Sequence, residues 1–349
     1  IRMSQFRQFC SLTHTHGTII NNAGFTFLSF LGCYQNNTII ADSLFGIKYN
    51  LSNFDLNKYG FNHVTSEKTM GLYQNNNASQ LAILTDGIYK NIDFTVNTLD
   101  NQTSLLNALS GLNLTYFKRA PSQLFDQDAK SLNQRVAKNV SNSNKDFVTI
   151  TYRVIAPPHS QLYVSIPNIS WSDDNNHSLS ITVNGVTRNQ VTDNTFDFFD
   201  LGYFETESMV TIKLSFPGNK VISFDNPSFY ALDTQNYQIA MNTINERDSK
   251  VTTSNNKVFV DYSSKTNASL FFTIPYDKGW TATINHKKVK IQRAQKGFMK
   301  VDVPSGKGKV VLTFIPYGLK TGLLISLLAS IIFCCYAYFI RKITVIQKS

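Results

Sequence analysis

The stretch that decides the architecture is residues 322–340, GLLISLLASIIFCCYAYFI, followed at once by Arg341 and Lys342. These 19 residues carry no charge. As an α-helix rising ~1.5 Å per residue they would extend ~28 Å, close to the ~30 Å hydrocarbon core of a bilayer. A core helix of that length would normally carry a polar stripe, and none is present. Tyr317 precedes the span, and Tyr336 and Tyr338 stand near its far end, where amphipathic rings favour the headgroup level. A transmembrane helix is therefore predicted over 318–341, in preference to a buried one.

Working outward, the tail RKITVIQKS holds Arg341, Lys342 and Lys348 and no acid. The positive-inside rule predicts a cytoplasmic tail at 342–349 and an extracytoplasmic bulk. The expected location is the cell membrane, crossed once by this chain. Residues 1–30 contain neither the apolar core nor the cleavage site of a signal peptide, and the first residue is Ile1. That pattern leads to an expectation of further chain upstream, with a processed protein whose signal has been removed as the alternative. The segment FIPYGLKTG ahead of the span lacks the LPxTG-like motif of a wall-sorting signal.

A chain of 349 residues has room for two or three domains. The part outside the span is rich in Asn, Thr, Ser, Phe and Tyr and sparse in charge, which suits β-rich extracytoplasmic modules. Cys334 and Cys335 lie inside the span as packing residues, while Cys10 and Cys33 allow one extracytoplasmic disulfide, or remain as thiols, and make no framework. The net charge of +10 is concentrated. Lys287, Lys288, Lys290, Arg293, Lys296, Lys300, Lys307 and Lys309 stand against Asp302 alone between 287 and 309.

The fold class expected is mixed: an N-terminal α/β segment, two β-sandwich-like extracytoplasmic modules and the C-terminal transmembrane helix. In residues 1–120, 24–31 (GFTFLSFL) reads as a short apolar helix, and 44–51 and 81–84 read as strands. SLLNALSG reads as a helix, opened by the polar run at Asp100 and stopped by Gly111. Residues 121–145 read as a helical or irregular linker. From 146 to 232 short alternating strands, with an Asn184-Gly185 hairpin turn, suggest a jelly-roll-like sandwich. A linker helix is placed within 233–250. A membrane-proximal β-module follows over 251–317, with strands near 257–262, 269–274, 280–285, 288–292, 298–303 and 309–315. Pro316-Tyr317-Gly318 breaks the last strand just before the span, so this module must sit on the membrane surface.

Candidate chemistry is sparse. No HExxH, GxSxG, paired CxxC or Walker loop occurs. His14 and His16 lack an evident third metal ligand, and Asp126-Gln127-Asp128 has a DxD form without a preceding buried strand. Neither catalytic residues, nor a metal, nor a cofactor are assigned, and no nucleic-acid partner is expected. Asp173 and Asp174, after Trp171, suit a Ca²⁺ or sugar site at a module edge, since oxygen-rich loops suit hard cations, against the simpler reading of a solvated loop. Trp280, at the start of an alternating strand, reads as a core aromatic. The candidate surface for polyanions or membrane is formed by Lys288, Lys290, Arg293, Lys296, Lys307 and Lys309, the alternative being a solvated face that protects strand edges. By the two-residue period Lys288 and Lys290 share a face and Lys287 points away.

The stretch YDKGWTATINHKKVKIQRAQKGFMKVDVPSGKGKVVLTFIPYGLKTGLLIS resembles the C-terminal end of the bacterial YfhO family of polytopic membrane proteins. The matching features are a Gly-Trp at a strand start, a short hairpin, a Phe-Met strand, a Pro-x-Gly-x-Lys turn and a Pro-x-Gly leading into the last span. Asp42-Ser43-Leu44-Phe45-Gly46-Ile47-Lys48-Tyr49, and Asn101-Gln102 before Leu105-Leu106, resemble two further family blocks. Asn285-His286 departs from the family's acidic-or-Asn followed by Gly. The resemblance implies a GT-C type glycosyltransferase that moves sugar from a polyprenyl-phosphate donor to a cell-surface polymer such as lipoteichoic acid. It implies that the catalytic loop lies outside this chain, that membrane lipids and an upstream transmembrane part of the same protein are partners, and that teichoic acid or the lipid-linked sugar is a candidate ligand. A stand-alone anchored protein that binds cell-wall glycans through its sandwiches is the alternative.

Overall fold

The structure is a computed structural model and describes residues 25–28, 31–34, 38–95, 98–127, 131–132, 135–136, 147–167, 170–171, 177–192, 198–217, 222–295 and 297–346. Among them the protein is mostly antiparallel β-sheet, with five sheets of three to five strands, some two-stranded pairs, and one long C-terminal helix.

The first described elements are a hairpin of β1 (Phe25–Leu28) and β2 (Leu31–Tyr34). The apolar helix expected over 24–31 is thus a strand pair, because Phe-Thr-Phe alternates with a period of two and favours extended backbone. Helix α1 (Ile39–Leu44) follows, capped by the Thr38 hydroxyl accepting from the Ala41 amide. The strand expected to begin at Leu44 starts instead at β3 (Tyr49–Ser52), which pairs with β5 (Met70–Asn75), itself paired with β4 (Phe61–Glu67). A short strand β6 (Ala82–Leu84) precedes α2 (Thr98–Ser110). Asp100 lies in the first turn of α2, and Gly111, at φ +78°, ends it as expected.

Two strands then leave for a common sheet pair, β7 (Phe117–Arg119) and β8 (Ser122–Gln127). The latter falls where a helical or irregular linker was expected. A short pair, β9 (Ser131–Leu132) and β10 (Arg135–Val136), comes next. Then come β11 (Phe147–Ala156), β12 (Ser160–Ser165), β13 (Ser170–Trp171), β14 (His177–Val183), β15 (Val186–Thr192), β16 (Phe198–Phe204), β17 (Ser208–Pro217), β18 (Ile222–Ser223) and β19 (Ser228–Asp233). They build a five-stranded sheet in the order β15-β14-β17-β11-β8 and a four-stranded one in the order β16-β12-β19-β7. Val148, Ile150 and Val154 of β11 share a core with Leu162 and Val164 of β12 and Phe229 of β19. Asn184 and Gly185 turn the β14–β15 hairpin at φ +47° and +90°, the signature of a type I′ turn.

Helix α3 (Thr234–Asn245) is capped by Asp233, whose carboxylate accepts from the amides of Gln235 and Asn236. The remaining strands are β20 (Ser249–Ser254), β21 (Lys257–Ser264), β22 (Ala268–Phe272), β23 (Trp280–Ile284), β24 (Lys287–Val289), β25 (Gln292–Ala294), β26 (Phe298–Val303) and β27 (Gly306–Phe314). They form a five-stranded sheet, β20-β21-β27-β23-β24, facing a four-stranded sheet, β25-β26-β22-β6. Val260, Val310 and Leu312 on the first meet Leu270, Phe272 and Val301 on the second. The second sheet is completed by β6, which comes from the N-terminal segment.

Both four-stranded sheets are buried on two faces. Their outer faces meet a third core made by α1, α2 and α3: Tyr163 and Leu232 from one sheet and Phe271 and Phe298 from the other pack with Leu106, Leu109, Tyr237 and Met241. This explains the unbroken burial of β22, ASLFF, since a strand covered on both faces needs no polar alternation. Arg247 fastens the layer. Its guanidinium donates to the carbonyls of Leu109 and Leu84 at 2.6 and 2.7 Å, and also to that of Ser110, satisfying orphan carbonyls at the end of α2.

Helix α4 (Leu319–Ile346) leaves this body without packing on it. The window 319–338 is apolar enough to cross a membrane and is wholly unburied.

Candidate functional site

The approach to the membrane is built by β27, an interior strand that runs through Phe314 into Pro316 and α4. Two turns grip it at that end. Gly279 accepts the Ile315 amide at 3.0 Å, and Asn256 both accepts the Phe314 amide at 2.9 Å and donates its side-chain amide to the Phe314 carbonyl at 2.8 Å. A Cβ added at Gly279 would lie 2.3 Å from the Ile315 carbonyl oxygen, so the Gly of the Gly-Trp pair is a close-approach glycine. Trp280 is half-buried with its ring 4.9 Å from that of Phe314, the core aromatic expected.

The outward face of the five-stranded sheet is basic. Strand alternation and register place Lys250, Lys257, Lys288, Lys307 and Lys309 on it, with Asp261 as the acid. Lys309 lies 3.7 Å from Asp261 and 5.5 Å from the centre of the Phe259 ring. Lys288 pairs with Thr283 on this face, whereas Lys287 pairs with Ile284 on the opposite parity. The candidate cations therefore divide by height. Lys287, Lys307 and Lys309 cluster at the end of the sheet away from α4. Lys290 and Arg293 lie where the chain crosses between sheets beside the Trp280 end, and the Arg293 guanidinium sits 4.7 Å over the Tyr276 ring. Lys296 lies outside the described residues, as do Asp173, Asp174, His14, His16, Cys10 and Asp128. Trp171 belongs to the two-stranded pair β13–β18, apart from the basic face.

Lys300 leaves the basic surface altogether. It is 7% exposed, and its ammonium donates to the Tyr89 carbonyl at 2.7 Å and to Asp302 at 2.9 Å. Its position on β26, a strand between two others and covered on both faces, turns it inward. Burial alone would raise the Asp302 carboxyl. Hydrogen bonds from Ser269, Lys300 and Gln292, with the Lys300 charge, outweigh that and hold it below the ordinary carboxylate range.

A second feature was not legible in the sequence. An open cleft of about 550 Å³ is lined by Asp55, Asn57, Phe61, Asn62, His63 and Tyr73. The Tyr73 hydroxyl donates to Asp55 at 3.3 Å, and the His63 ring meets Tyr73 edge-on at 5.3 Å. The loop below it is anchored by a buried ion pair between Lys58 and Asp42. Asn57 exchanges hydrogen bonds with the backbone of Tyr203, and Gln161 accepts from the Tyr59 amide while donating to Asp200 at 2.7 Å. Burial pushes the Asp200 carboxyl up, against the charges of Lys58 and Arg188. Carboxylate and amide groups beside aromatic walls suit a hydroxyl-bearing ligand. The only sequence signal for this site was the loose polar run NFDLNKYGFNH, which carries no motif. Among the described residues no group of three or more His, Cys, Asp and Glu side chains converges to hold a metal.

The family described as bacterial membrane protein YfhO matches residues 15–326. A curated relative from Bacillus subtilis (strain 168), described as uncharacterized protein YfhO, is 29% identical over 110 residues, covering 30% of this chain and 13% of its own length. The match thus spans a small part of that relative. Among solved structures, a Paenibacillus cycloisomaltooligosaccharide glucanotransferase shares 8% identity at a TM-score of 0.24, covering 60% of this chain and 50% of its own. The mycobacterial arabinofuranosyltransferase AftD shares 14% identity at a TM-score of 0.20, covering 48% of this chain and 14% of its own. Scores this low carry no assignment.

Proposed function

This chain belongs to the family of bacterial membrane protein YfhO, and from that premise we propose that it forms the extracytoplasmic C-terminal portion and last span of a polytopic GT-C type glycosyltransferase. The parent enzyme takes sugar from a polyprenyl-phosphate donor and passes it to a cell-surface polymer such as lipoteichoic acid. In this reading the two sheet pairs are β-sandwich modules that present the polymer to a catalytic loop held elsewhere in the parent protein. The observation that carries the proposal is the passage of β27 directly into the exposed apolar helix α4. An interior strand is held by neighbours on both sides, so a polymer bound to the modules is kept at a fixed height above the bilayer. The cleft bordered by Asp55, Asn57 and Tyr73 is where we place the acceptor.

The test uses the parent protein in membranes. Tyr73→Ala and Asp55→Ala are expected to lower polymer glycosylation at limiting acceptor while leaving donor hydrolysis unchanged. A reporter fused after Ser349 is expected on the cytoplasmic side. Full transfer by both variants would remove the cleft from the reaction, and an external C-terminus would invert the topology and with it the functional reading.

A further inference from the structure

We infer that the turns at the α4 end of the five-stranded sheet form a cationic and aromatic collar that rests on anionic lipid headgroups. Lys257, Lys278, Lys290, Arg293 and Lys320 make up its charge, and the distal lysines Lys287, Lys307 and Lys309 take no part. The inference needs the membrane placement of α4 and does not depend on the transferase reading.

The collar follows from register. Phe314 pairs with Trp280, and Thr313 pairs with Lys257, so the starts of β21 and β23 lie level with the end of β27. Lys257 therefore opens its strand beside the Asn255–Asn256 turn at the same level as the exit to α4. Lys278 is exposed in the turn before Trp280, and its ammonium stands 5.7 Å from the centre of the Tyr317 ring. Val289 pairs with Ala282, so Lys290, one residue on, is carried toward the level of Thr281 and Trp280. The loop is closed by the Tyr276 amide donating to Gly297 at 2.8 Å, with Arg293 over the Tyr276 ring. Lys320 is on the first turn of α4. The acid within this group, Asp277, has one carboxylate oxygen accepting from the Gly279 amide at 2.6 Å. Five cations against one engaged carboxylate, with Tyr317 and Tyr276 among them, match the chemistry of an anionic interface.

Strand length excludes the distal set. Lys309 stands five residues before Phe314 and Lys307 seven, or ~17 and ~23 Å along an extended strand. Both separations exceed the ~8 Å screening length at physiological ionic strength. If the sheet instead lay flat on the lipid, Lys288, Lys307 and Lys309 would approach it together with Lys257.

The full chain is placed in lipid nanodiscs of phosphatidylcholine alone or mixed with phosphatidylglycerol, and each lysine is labelled with a water-soluble amine reagent and read by mass spectrometry. Labelling of Lys257, Lys278, Lys290 and Lys320 is expected to fall about fivefold in the anionic discs and to recover at high salt. Lys287, Lys307 and Lys309 are expected to label equally in both. In the Lys278→Gln/Lys290→Gln variant, checked for an unchanged unfolding midpoint, protection of Lys257 is expected to weaken. Equal protection of distal and proximal lysines, protection that ignores salt, or no protection in anionic discs would overturn the collar. So would equal protection in phosphatidylcholine discs on adding soluble polyglycerol phosphate, which would assign the site to a polymer.

Discussion

Gly279 shows how one residue joins the β-body to the membrane helix. Its Cα hydrogen faces the Ile315 carbonyl, leaving no room for a methyl group. Gly279→Ala is expected to cost about 1–3 kcal/mol through displacement of the junction. Gly322→Ala, where an added Cβ meets nothing within 4 Å, is expected to be neutral or slightly stabilising. Thermal unfolding in detergent separates them, and equal midpoints for the two variants would refute the close-approach role. A second residue-scale expectation concerns Asp302. Its carboxyl is held below its ordinary range in the fold. It therefore adds stability above its unfolded value of ~3.9 and loses that contribution as pH falls through the folded value. Asp302→Asn is expected to cost about 1–3 kcal/mol at neutral pH, since a third of the side chain is exposed. The gap to the parent chain is expected to narrow below pH ~3.9. Urea unfolding across that range checks the sign, and a gap independent of pH would refute it.

Among the elements, the β23–β24 hairpin is the informative one, turning through Asn285-His286 where the resemblance implied a glycine at the second position. Asn285 and His286 occupy φ +45° and +68°, the pair of left-handed positions that a two-residue type I′ turn demands. Asn285 also steadies the turn from its side chain, accepting from the Lys309 amide at 2.9 Å. His286 carries a Cβ in a region suited to glycine, so His286→Gly is expected to stabilise the hairpin by about 0.5–1 kcal/mol. Denaturant midpoints report it; an unchanged or lower midpoint would mean that the imidazole makes a compensating interaction. The strands of this hairpin were legible from their alternation, and the hairpin between them from the family resemblance. The hairpin at 25–34 was misread because a short aromatic-rich run satisfies either period until its partner strand is known.

On the scale of the molecule, the sheets are completed by strands far away in sequence. Leu270, Phe271 and Phe272 pair with Leu84, Ile83 and Ala82, and Tyr230 to Leu232 pair with Arg119 to Phe117. Cut from the chain, residues 250–316 would lose β6, the helical layer over Phe271 and Phe298, and the Tyr89 carbonyl that receives Lys300. That fragment is expected to show no cooperative unfolding transition and to regain one when co-expressed with residues 38–249. A fragment that melts cooperatively alone would show that the sheet pair is self-sufficient.

The sequence by itself determined the features that depend on neighbours along the chain. The uncharged span follows from 19 consecutive residues, the type I′ turn at Asn184-Gly185 from two, and the alternating faces of β11 from a period of two. The split of Lys288 from Lys287 was legible for the same reason. Only the tertiary structure decided how the sheets are completed, because pairings such as Phe271 with Ile83 and Tyr230 with Arg119 join residues more than a hundred positions apart and leave no local period. It turned Lys300 from a member of a basic block into a buried cation, since β26 is covered on both faces. It assembled the Asp55–Tyr73 cleft from loop residues without a motif. It also sorted the cations by height above the span, because Lys309 and Lys307, five and seven residues before Phe314 on an extended strand, stand farther from the start of the span than the screening length.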